Sequence, residues 1–252
     1  MAHRIIYFLG AGASYGAGAV ASVQAGAKLP IPTQASFWST FLRLCKSDSH
    51  RRDIESFLFR YFLGYNKVPY RLSVTKRREL LAPIDVEEVF TFLSERVRAP
   101  STSAQLRTYA LKIWVALVHE MGNVFRKFAA NKQTRSIYRE FYKRHCRKTD
   151  SVVSFNYDAV FEESLPYSER PGYYGVSDGK GRISLLKPHG SVNWGIDNGL
   201  INVEPEPTRC VIVAPTHLKF VMSTYSDAED VGGYLDQSDQ IASIWQEMEL
   251  RM

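Results

Sequence analysis

Residues 4–14 read Arg-Ile-Ile-Tyr-Phe-Leu-Gly-Ala-Gly-Ala-Ser, an apolar run that ends abruptly in glycine. The β-branched and aromatic side chains of this run predict a buried strand over Arg4–Leu9. The glycines and alanines from Gly10 to Gly18 predict a tight turn that leads into a short helix of small residues. A strand, a glycine turn and a helix in this order favour an α/β fold.

The turn Gly10-Ala11-Gly12-Ala13-Ser14 is a candidate phosphate-binding loop. Glycines let the backbone approach a pyrophosphate, and the first N–H groups of the following helix are available as donors. Tyr15 stands where the third glycine of the dinucleotide fingerprint is expected, and no acidic residue ends a clear second strand about 20 residues on. A strand–helix turn that binds no ligand therefore remains an alternative.

Later in the chain, short apolar runs again stop at residues that suit a binding loop. The predicted strands are Ser151–Phe155, Ile183–Lys187 and Cys210–Pro215. Strands that alternate with helices favour a mostly parallel, Rossmann-like sheet with helices on both faces. Because the carboxyl ends of parallel strands share one edge, we expect the loops that follow them to meet there.

The region between the first two strands has helical periodicity, and we predict no strand in it. Asp85 is the expected N-cap of one helix, and two long helices over 104–147 are expected to break near Asn131. We interpret the chain as one α/β domain, 1–252, with a helical insertion over about 35–148.

Segments rich in glycine and proline are expected to be connections rather than strands. They are 25–32, 171–181 and 195–207. A last helix is predicted over Gln237–Met252. Since a doubly wound sheet normally gains another strand at that point, we expect a truncated chain or the first part of a longer protein.

The polar residues after the predicted strands are candidates for chemistry. Asn156 can hydrogen-bond a ribose hydroxyl or hold a water, although Asn156 and Asp158 are equally suited to capping a helix. His189 stands between a proline and a glycine, and its ordinary pKa of about 6.5 suits a general base. A loop histidine can also be inert. Ser191 and Asn193 follow it and can supply polar contacts to a ligand.

Cysteine usage and hydropathy exclude several classes of protein. Cys45, Cys146 and Cys210 lie far apart, so we expect neither a disulfide framework nor a metal site such as four-ligand zinc. The apolar run Ile5–Leu9 is shorter than a signal-peptide core, and no stretch is long enough to span a bilayer. We expect a soluble, cytoplasmic protein.

The net charge of +6 is unevenly distributed. Residues 1–148 contain 25 Lys and Arg against 10 Asp and Glu, whereas the remainder contains 7 against 16. This asymmetry can mark a face that binds polyanions, or two complementary surfaces of one protein or of an oligomer. For the clusters Lys76-Arg77-Arg78 and Arg139 to Lys148, a solvated helix face is the favoured interpretation.

The order of the motifs resembles the sirtuin family: a Gly-Ala-Gly-Ala-Ser turn after strand one, then an Asn-x-Asp, then a His-Gly. Residues 154–158, Ser-Phe-Asn-Tyr-Asp, and 189–194, His-Gly-Ser-Val-Asn-Trp, are similar to the bacterial sirtuin-like domains that act in antiviral defence. Residues 29–32, Leu-Pro-Ile-Pro, and 85–90, Asp-Val-Glu-Glu-Val-Phe, also resemble that group. The resemblance covers about residues 4–216.

The resemblance implies an enzyme that hydrolyses NAD to nicotinamide and ADP-ribose and so depletes NAD during phage infection. Asn156 and His189 match the family's catalytic pair, and Asp158 matches the residue that contacts nicotinamide. The residues that match the turn binding the NAD phosphates are Gly10, Gly12, Ala13 and Ser14. Such an enzyme would poison its host, so the resemblance implies gating, by homo-oligomerisation or by a companion ATPase, an Argonaute-like subunit or a phage protein.

Two features depart from the family. Deacylating sirtuins carry a four-cysteine zinc module, which three scattered cysteines cannot build, so protein deacylation is not expected. The final strand and its glycine/serine motif are missing, which leaves the adenosine end of the site undefined. Two other functions stay open: a non-catalytic module that senses NAD or ADP-ribose, and a nucleic-acid-associated subunit of a defence complex that uses the basic first half.

Overall fold

The computed structural model describes residues 4–22, 27–170, 172–173, 183–197, 200–203, 210–213 and 238–252. By their internal contacts these residues form two compact units. The first comprises the described residues of Met1–Ile31, Phe125–Val213 and Val221–Met252, and the second comprises Pro32–Val124.

The described chain contains short strands and mostly longer helices, with consecutive helices from α2 to α6 and consecutive strands from β6 to β11. The strands are β1 (Ile6–Leu9), β2 (Val20–Ser22), β3 (Lys28–Pro30), β4 (Phe128–Ala129), β5 (Ser151–Ser154), β6 (Gly172–Tyr173), β7 (Ser184–Leu186), β8 (Gly190–Ser191), β9 (Trp194–Asp197), β10 (Leu200–Val203) and β11 (Val211–Ile212). The α-helices are α1 (Ala11–Gly16), α2 (Phe37–Leu44), α3 (Asp48–Tyr61), α4 (Val74–Leu81), α5 (Val86–Arg98), α6 (Ala104–Phe125), α7 (Lys132–His145), α8 (Val160–Glu163) and α9 (Ser238–Arg251). Two 3-10 turns, Gln34–Ser36 and Tyr167–Glu169, complete the described elements.

A parallel sheet of four strands, in the order β1-β5-β7-β6, organises the first unit. Its register sets Leu9 opposite Ser154 and Val153 opposite Leu186. Val152, Val153 and Leu185 are fully buried, as expected for strands covered on both sides. The predicted parallel sheet is confirmed, and the turns after β1, β5 and β7 leave it at the same edge.

A second, antiparallel sheet joins β2 to β3 and β4. The loop predicted over 25–32 is therefore wrong at Lys28–Pro30, and the prediction of no strand within 35–148 is wrong at Phe128–Ala129. Strands of two or three residues are too short for an alternating pattern to show in the sequence. They form because the chain pairs Val20 with the distant Ala129.

The predicted connections after residue 170 also contain strands. Gly172–Tyr173 forms β6 at one edge of the parallel sheet, and β9 and β10 form an antiparallel pair within 194–203. The strand predicted at Cys210–Pro215 is Val211–Ile212, and it pairs antiparallel with β8 rather than joining the parallel sheet. Some residues covered by the sequence predictions lie outside the described residues. They are 25–26, 171, 174–181, 198–199, 204–207, 214–215 and 237.

The described residues of the second unit form helices. They lie between β1 and β5 in the chain, where the helical insertion was expected. Asp85 caps α5 as predicted, because its Oδ1 accepts the Glu87 N–H at 2.7 Å. The core of this unit is aromatic: Trp38, Phe41 and Phe90 are fully buried, and the Trp38 indole donates to the Ile84 carbonyl at 2.8 Å. None of the helices described here is long and apolar enough to cross a membrane.

A buried carboxylate links α6 to the segment between α2 and α3 in the second unit. Glu120 is fully buried and accepts the Lys46 N–H at 2.7 Å and contacts His50 Nδ1 at 3.0 Å. Burial alone raises the pKa of a carboxyl group, but these donors outweigh it and the pKa of Glu120 is lowered.

The predicted break between the two long helices is confirmed in the first unit. Asn131 is the N-cap of α7, and its Oδ1 accepts the Thr134 N–H at 2.9 Å. Its Nδ2 donates to the Gly18 carbonyl at 2.7 Å, which ties the start of α7 to the turn after α1.

Candidate functional site

The Asn156 amide joins the loop after β5 to the loop after β1. Its Nδ2 donates to the Gly10 carbonyl at 3.0 Å and to Ser14 Oγ at 3.1 Å. Because a carbonyl oxygen can only accept, the bond to Gly10 fixes which amide atom faces β1. Both amide hydrogens are used in these bonds. The Oδ1 atom is thus the part of Asn156 that can accept a hydrogen from a water or a hydroxyl.

Ser14 is the centre of a buried hydrogen-bonded cluster. Its hydroxyl donates to Asp158 Oδ1 at 3.2 Å and accepts from Asn156. A hydroxyl has a single hydrogen, so the 3.2 Å contact with Tyr138 places the Tyr138 O–H as the donor. Burial raises the pKa of Tyr138, which keeps that hydroxyl protonated at neutral pH. One donor and two acceptor positions of Ser14 are all occupied, so Ser14 positions Asn156 and Asp158 relative to each other.

Asp158 is buried at the start of the turn into α8. Its Oδ1 also accepts the N–H of Val160, the first residue of α8, at 3.0 Å, although the N-cap residue of that helix is Ala159 rather than Asp158. Burial raises the pKa of this carboxyl, and the positive charge of Lys187 opposes the rise. A proton is therefore retained here to a higher pH than on an exposed aspartate.

A second buried network, absent from the sequence prediction, lies under the same loops. The fully buried Lys187 donates to the backbone oxygen of Asp158 at 2.6 Å and to Glu162 Oε1 at 3.0 Å. The Tyr173 hydroxyl donates to the same Glu162 oxygen at 2.9 Å and accepts from Asn193 Nδ2 at 2.8 Å. The signal in the sequence is the charged Lys187 at the end of an apolar strand, since a buried lysine needs a partner.

His189 is buried among aromatic rings. Its ring centroid lies 5.3 Å from that of Phe155, 5.8 Å from that of Tyr157 and 5.9 Å from that of Trp245. The Trp245 indole also donates to the Pro188 carbonyl at 3.1 Å, which fixes α9 beside the histidine loop. Trp245 was not among the predicted site residues, because nothing in its local sequence points to His189.

The glycine after His189 is required by the backbone. Gly190 has a φ of +74°, and a Cβ there would lie 2.2 Å from the Val211 carbonyl oxygen. The His189 carbonyl accepts the Val213 N–H at 3.0 Å, and the Gly190 N–H donates to the backbone carbonyl of Lys187. Close approach of β11 and the left-handed turn together explain why the sequence reads His-Gly.

Alternate residues of segment 155–158 contact two different clusters. Asn156 and Asp158 contact Ser14, whereas Phe155 and Tyr157 contact the His189 ring. The structure thus brings four predicted residues, Gly10, Ser14, Asn156 and Asp158, into one hydrogen-bonded cluster, and His189 lies in a separate aromatic cluster.

The remaining predicted residues frame these clusters. Ser191 lies next to the loop after β5, with its Oγ 3.5 Å from the Tyr157 carbonyl, and the Val192 N–H donates to that carbonyl at 2.9 Å. Asn193 belongs to the Lys187 network. The loop after β7 is therefore hydrogen-bonded to the loop after β5, just as the loop after β5 is hydrogen-bonded to the loop after β1.

The glycine turn itself has room beside it. Ala11 to Ser14 form the first part of α1, and the Ala13 N–H donates to the Gly10 carbonyl at 2.8 Å. Gly10 is extended, and a Cβ at Gly10 or Gly12 would meet no protein atom within 4 Å. The fold does not itself require glycine at either position. The open space lies where a phosphate would approach the start of a helix.

Metal and thiol chemistry find little support in the described part of the chain. No three side chains of His, Cys, Asp or Glu in it are grouped so that they could hold a metal ion. Burial raises the pKa of Cys45 and of Cys146 to about 12, which favours the protonated thiol over the nucleophilic thiolate at neutral pH.

No protein-family model matches the sequence, and no curated protein is significantly similar to it. An assignment of function to this chain therefore depends on the motif loops and on the contacts among them.

Proposed function

We propose that this chain is a sirtuin-like NAD hydrolase that cleaves the nicotinamide–ribose bond, built on a Rossmann-like sheet with helices on both faces. The observation that carries the proposal is the direct joining of three motif loops at one edge of the parallel sheet. Asn156 binds Gly10, and Lys187 binds the Asp158 backbone. Parallel sheets bind their ligands at this edge.

In this proposal the turn Gly10–Ser14 binds the NAD phosphates. The open space over Gly10 and Gly12 supports it, as does the position of these glycines at the start of α1. Ser14 contributes by positioning Asn156 and Asp158, since its own hydroxyl is fully used. Asp158 lies beside Asn156 and is the residue we assign to the nicotinamide carboxamide, with Ser191 and Asn193 bordering the site.

The reaction adds water across the bond between ribose and nicotinamide. Nicotinamide leaves with the bonding electron pair, the water oxygen bonds to the ribose carbon, and one water proton goes to His189. Asn156 Oδ1 orients the water or the ribose hydroxyl, because its Nδ2 is already held by Gly10 and Ser14. In this mechanism His189 accepts the proton as a neutral imidazole, and the rings of Phe155, Tyr157 and Trp245 hold the imidazole in place.

The biological setting belongs to the same proposal. We place the protein in the cytoplasm as an antiphage effector that depletes NAD and acts as a homo-oligomer. A companion ATPase, an Argonaute-like subunit or a phage protein would release its activity. Without such control, hydrolysis of NAD would kill the cell that makes the enzyme.

The test is nicotinamide and ADP-ribose release from NAD by the full chain, measured across protein concentrations that span monomer and oligomer. Asn156→Ala and His189→Ala are each expected to lower turnover by about 10²- to 10⁴-fold while thermal unfolding remains cooperative. His145→Ala, at the exposed end of α7, is the histidine control and should retain turnover.

Undiminished hydrolysis by both site variants would refute the assignment of Asn156 and His189. Binding of NAD in calorimetry without nicotinamide release at any protein concentration would instead favour the non-catalytic sensing module.

A further inference from the structure

Tyr138 of α7 reaches the centre of the candidate site, although no motif of the sequence includes it. Its side chain is 4% exposed, and its hydroxyl lies 3.2 Å from Ser14 Oγ. Because burial raises the pKa of Tyr138, the hydroxyl keeps its hydrogen at neutral pH and donates it to Ser14. The proposed reaction gives this buried donor no part.

Three contacts hold Tyr138 and its helix in place. At the start of α7, the Asn131 amide donates to the backbone of the turn that follows α1, at 2.7 Å. Beside Tyr138, the Arg139 side chain donates to the Ser164 carbonyl at the end of α8, at 2.9 Å. The Tyr138 ring meets the ring of Phe161 of α8 edge to face, with the centroids 5.3 Å apart. The helix α7 is therefore fixed against both α1 and α8, the helices that flank the hydrogen-bonded cluster.

The hydrogen bonds of the cluster run in one direction, from Tyr138 through Ser14 to Asp158. Ser14 donates to Asp158 Oδ1 at 3.2 Å, and the Val160 N–H donates to the same oxygen at 3.0 Å. A proton bound by the carboxyl group therefore sits on Oδ2, so Oδ1 stays an acceptor in both protonation states. Hydrogen bonds in such a chain polarise one another, so the Tyr138 O–H strengthens the bond from Ser14 to Asp158.

Tyr138 also limits how the Ser14 hydroxyl can turn. Ser14 Oγ has two acceptor positions: the Tyr138 O–H fills one, and Asn156 Nδ2, at 3.1 Å, fills the other. With both positions filled, the hydrogen of Ser14 is directed to Asp158. Without the Tyr138 hydroxyl, Ser14 gains freedom to turn, and Asn156 and Asp158 lose a fixed common partner.

We propose that Tyr138 is a positioning residue for the hydrolysis of NAD, which fixes the Ser14 hydroxyl and, through it, the Asp158 carboxyl group and the Asn156 amide. Tyr138 acts on the reacting atoms only through Ser14. This inference rests on the proposed function, because that function assigns Asn156 to the water or the ribose and Asp158 to nicotinamide.

The first measurement is a double-mutant cycle on kcat/KM for nicotinamide release from NAD by the full chain. Tyr138→Phe keeps the ring beside Phe161 and removes only the hydroxyl. It is expected to lower kcat/KM about two- to tenfold, the usual effect of losing one neutral hydrogen bond. In a Ser14→Ala background the same change should have almost no further effect, because the group through which Tyr138 acts is already absent.

The second measurement is the pKa of Asp158, followed by the NMR shift of its carboxyl carbon and assigned with Asp158→Asn. Burial raises this pKa, the charge of Lys187 and the hydrogen bond from Ser14 lower it, and the charge of Glu162 raises it. Tyr138→Phe weakens the bond from Ser14, so the pKa should rise further. In the Ser14→Ala background, Tyr138→Phe should not move the pKa.

Tyr142→Phe is the matched control, because it removes another buried tyrosine hydroxyl from α7, one turn further along. It should leave kcat/KM and the pKa of Asp158 unchanged. Cooperative thermal unfolding of every variant checks that the fold is kept.

The proposal is overturned if Tyr138→Phe leaves either kcat/KM or the pKa of Asp158 unchanged. It is also overturned if Tyr138→Phe lowers kcat/KM by the same factor with and without the Ser14 hydroxyl, which would indicate an independent role in packing. If the unaltered chain releases no nicotinamide, the hydrolase assignment fails instead. The pKa cycle, which needs no NAD, then decides alone whether Tyr138 fixes Ser14 and Asp158.

Discussion

The Nζ atom of Lys187 lies 2.6 Å from the backbone oxygen of Asp158 and 3.0 Å from Glu162 Oε1, and all of the lysine side chain is buried. A single ammonium group therefore joins the end of β7 to the loop that follows β5. Buried charges persist where they are paired and hydrogen-bonded, as this one is. The spacing of the Asp158 and His189 loops depends on that group.

Lys187→Met is expected to lower the free energy of unfolding by about 3–5 kcal/mol, because it leaves Glu162 charged and buried without its partner. Urea denaturation measures the change. Adding Glu162→Gln should recover most of the loss, since the amide oxygen can still accept from Tyr173. A double variant no more stable than Lys187→Met would contradict this account of the pair.

Asp158→Asn is expected to change how stability depends on pH. Burial raises the pKa of Asp158 above its ordinary value of about 3.8. At a pH between that value and the higher pKa of the folded state, the folded protein holds a proton that the unfolded chain has released. The unfolding free energy of the unaltered protein thus falls as pH rises through that window. Asparagine has no such proton and still offers an acceptor to Ser14 and Val160. The stability of the variant relative to the unaltered protein should rise from pH 4 to pH 7.5 in denaturation series; parallel pH profiles would argue against the raised pKa.

Glu120→Gln is expected to show the opposite dependence. The pKa of Glu120 is lowered below 4.5, so its charge stabilises the folded state above that pH, and this contribution is lost as pH falls through the folded pKa. The variant should unfold about 1.5–3 kcal/mol more easily at neutral pH, the usual effect of losing a hydrogen bond to a charged group. The difference should shrink on acidification below about pH 4.5, and a gap that stays constant with pH would show that the charge of Glu120 is not its source.

Gly190→Ala is expected to be far more harmful than Gly64→Ala. Both glycines have a positive φ, +74° and +71°, so alanine is strained at each by about 1 kcal/mol. At Gly64 the added Cβ meets open space, whereas at Gly190 it meets the Val211 carbonyl oxygen at 2.2 Å. Thermal unfolding compares the two, and equal losses of stability would show that β11 does not approach Gly190 so closely.

The sequence was sufficient to predict the central strands and the edge at which their loops meet. Short runs rich in apolar residues that end before Gly, Asn or Lys-Pro mark β1, β5 and β7, because local composition alone makes them strands. Asp85 and Asn131 were predictable as helix boundaries for the same reason, since a capping side chain bonds to a residue only two or three positions away.

The contacts that complete the candidate site are not local, and so they leave no pattern in the sequence. Ser14 reaches Tyr138 and Asp158, and His189 is enclosed by Trp245 of α9. The two-residue strands β4 and β6 are likewise held by partners far along the chain or at a sheet edge. Lys187 was the one accessible clue, because a cation at the end of a buried strand requires a partner to be found.

The position of Trp245 in α9, after every described strand in chain order, bears on when the site matures. As the nascent chain leaves the ribosome, the amide of Asn156 can engage the glycine turn long before the indole that covers Pro188 exists. Until α9 has emerged and docked, the part of the His189 ring that Trp245 contacts in the folded protein is therefore uncovered.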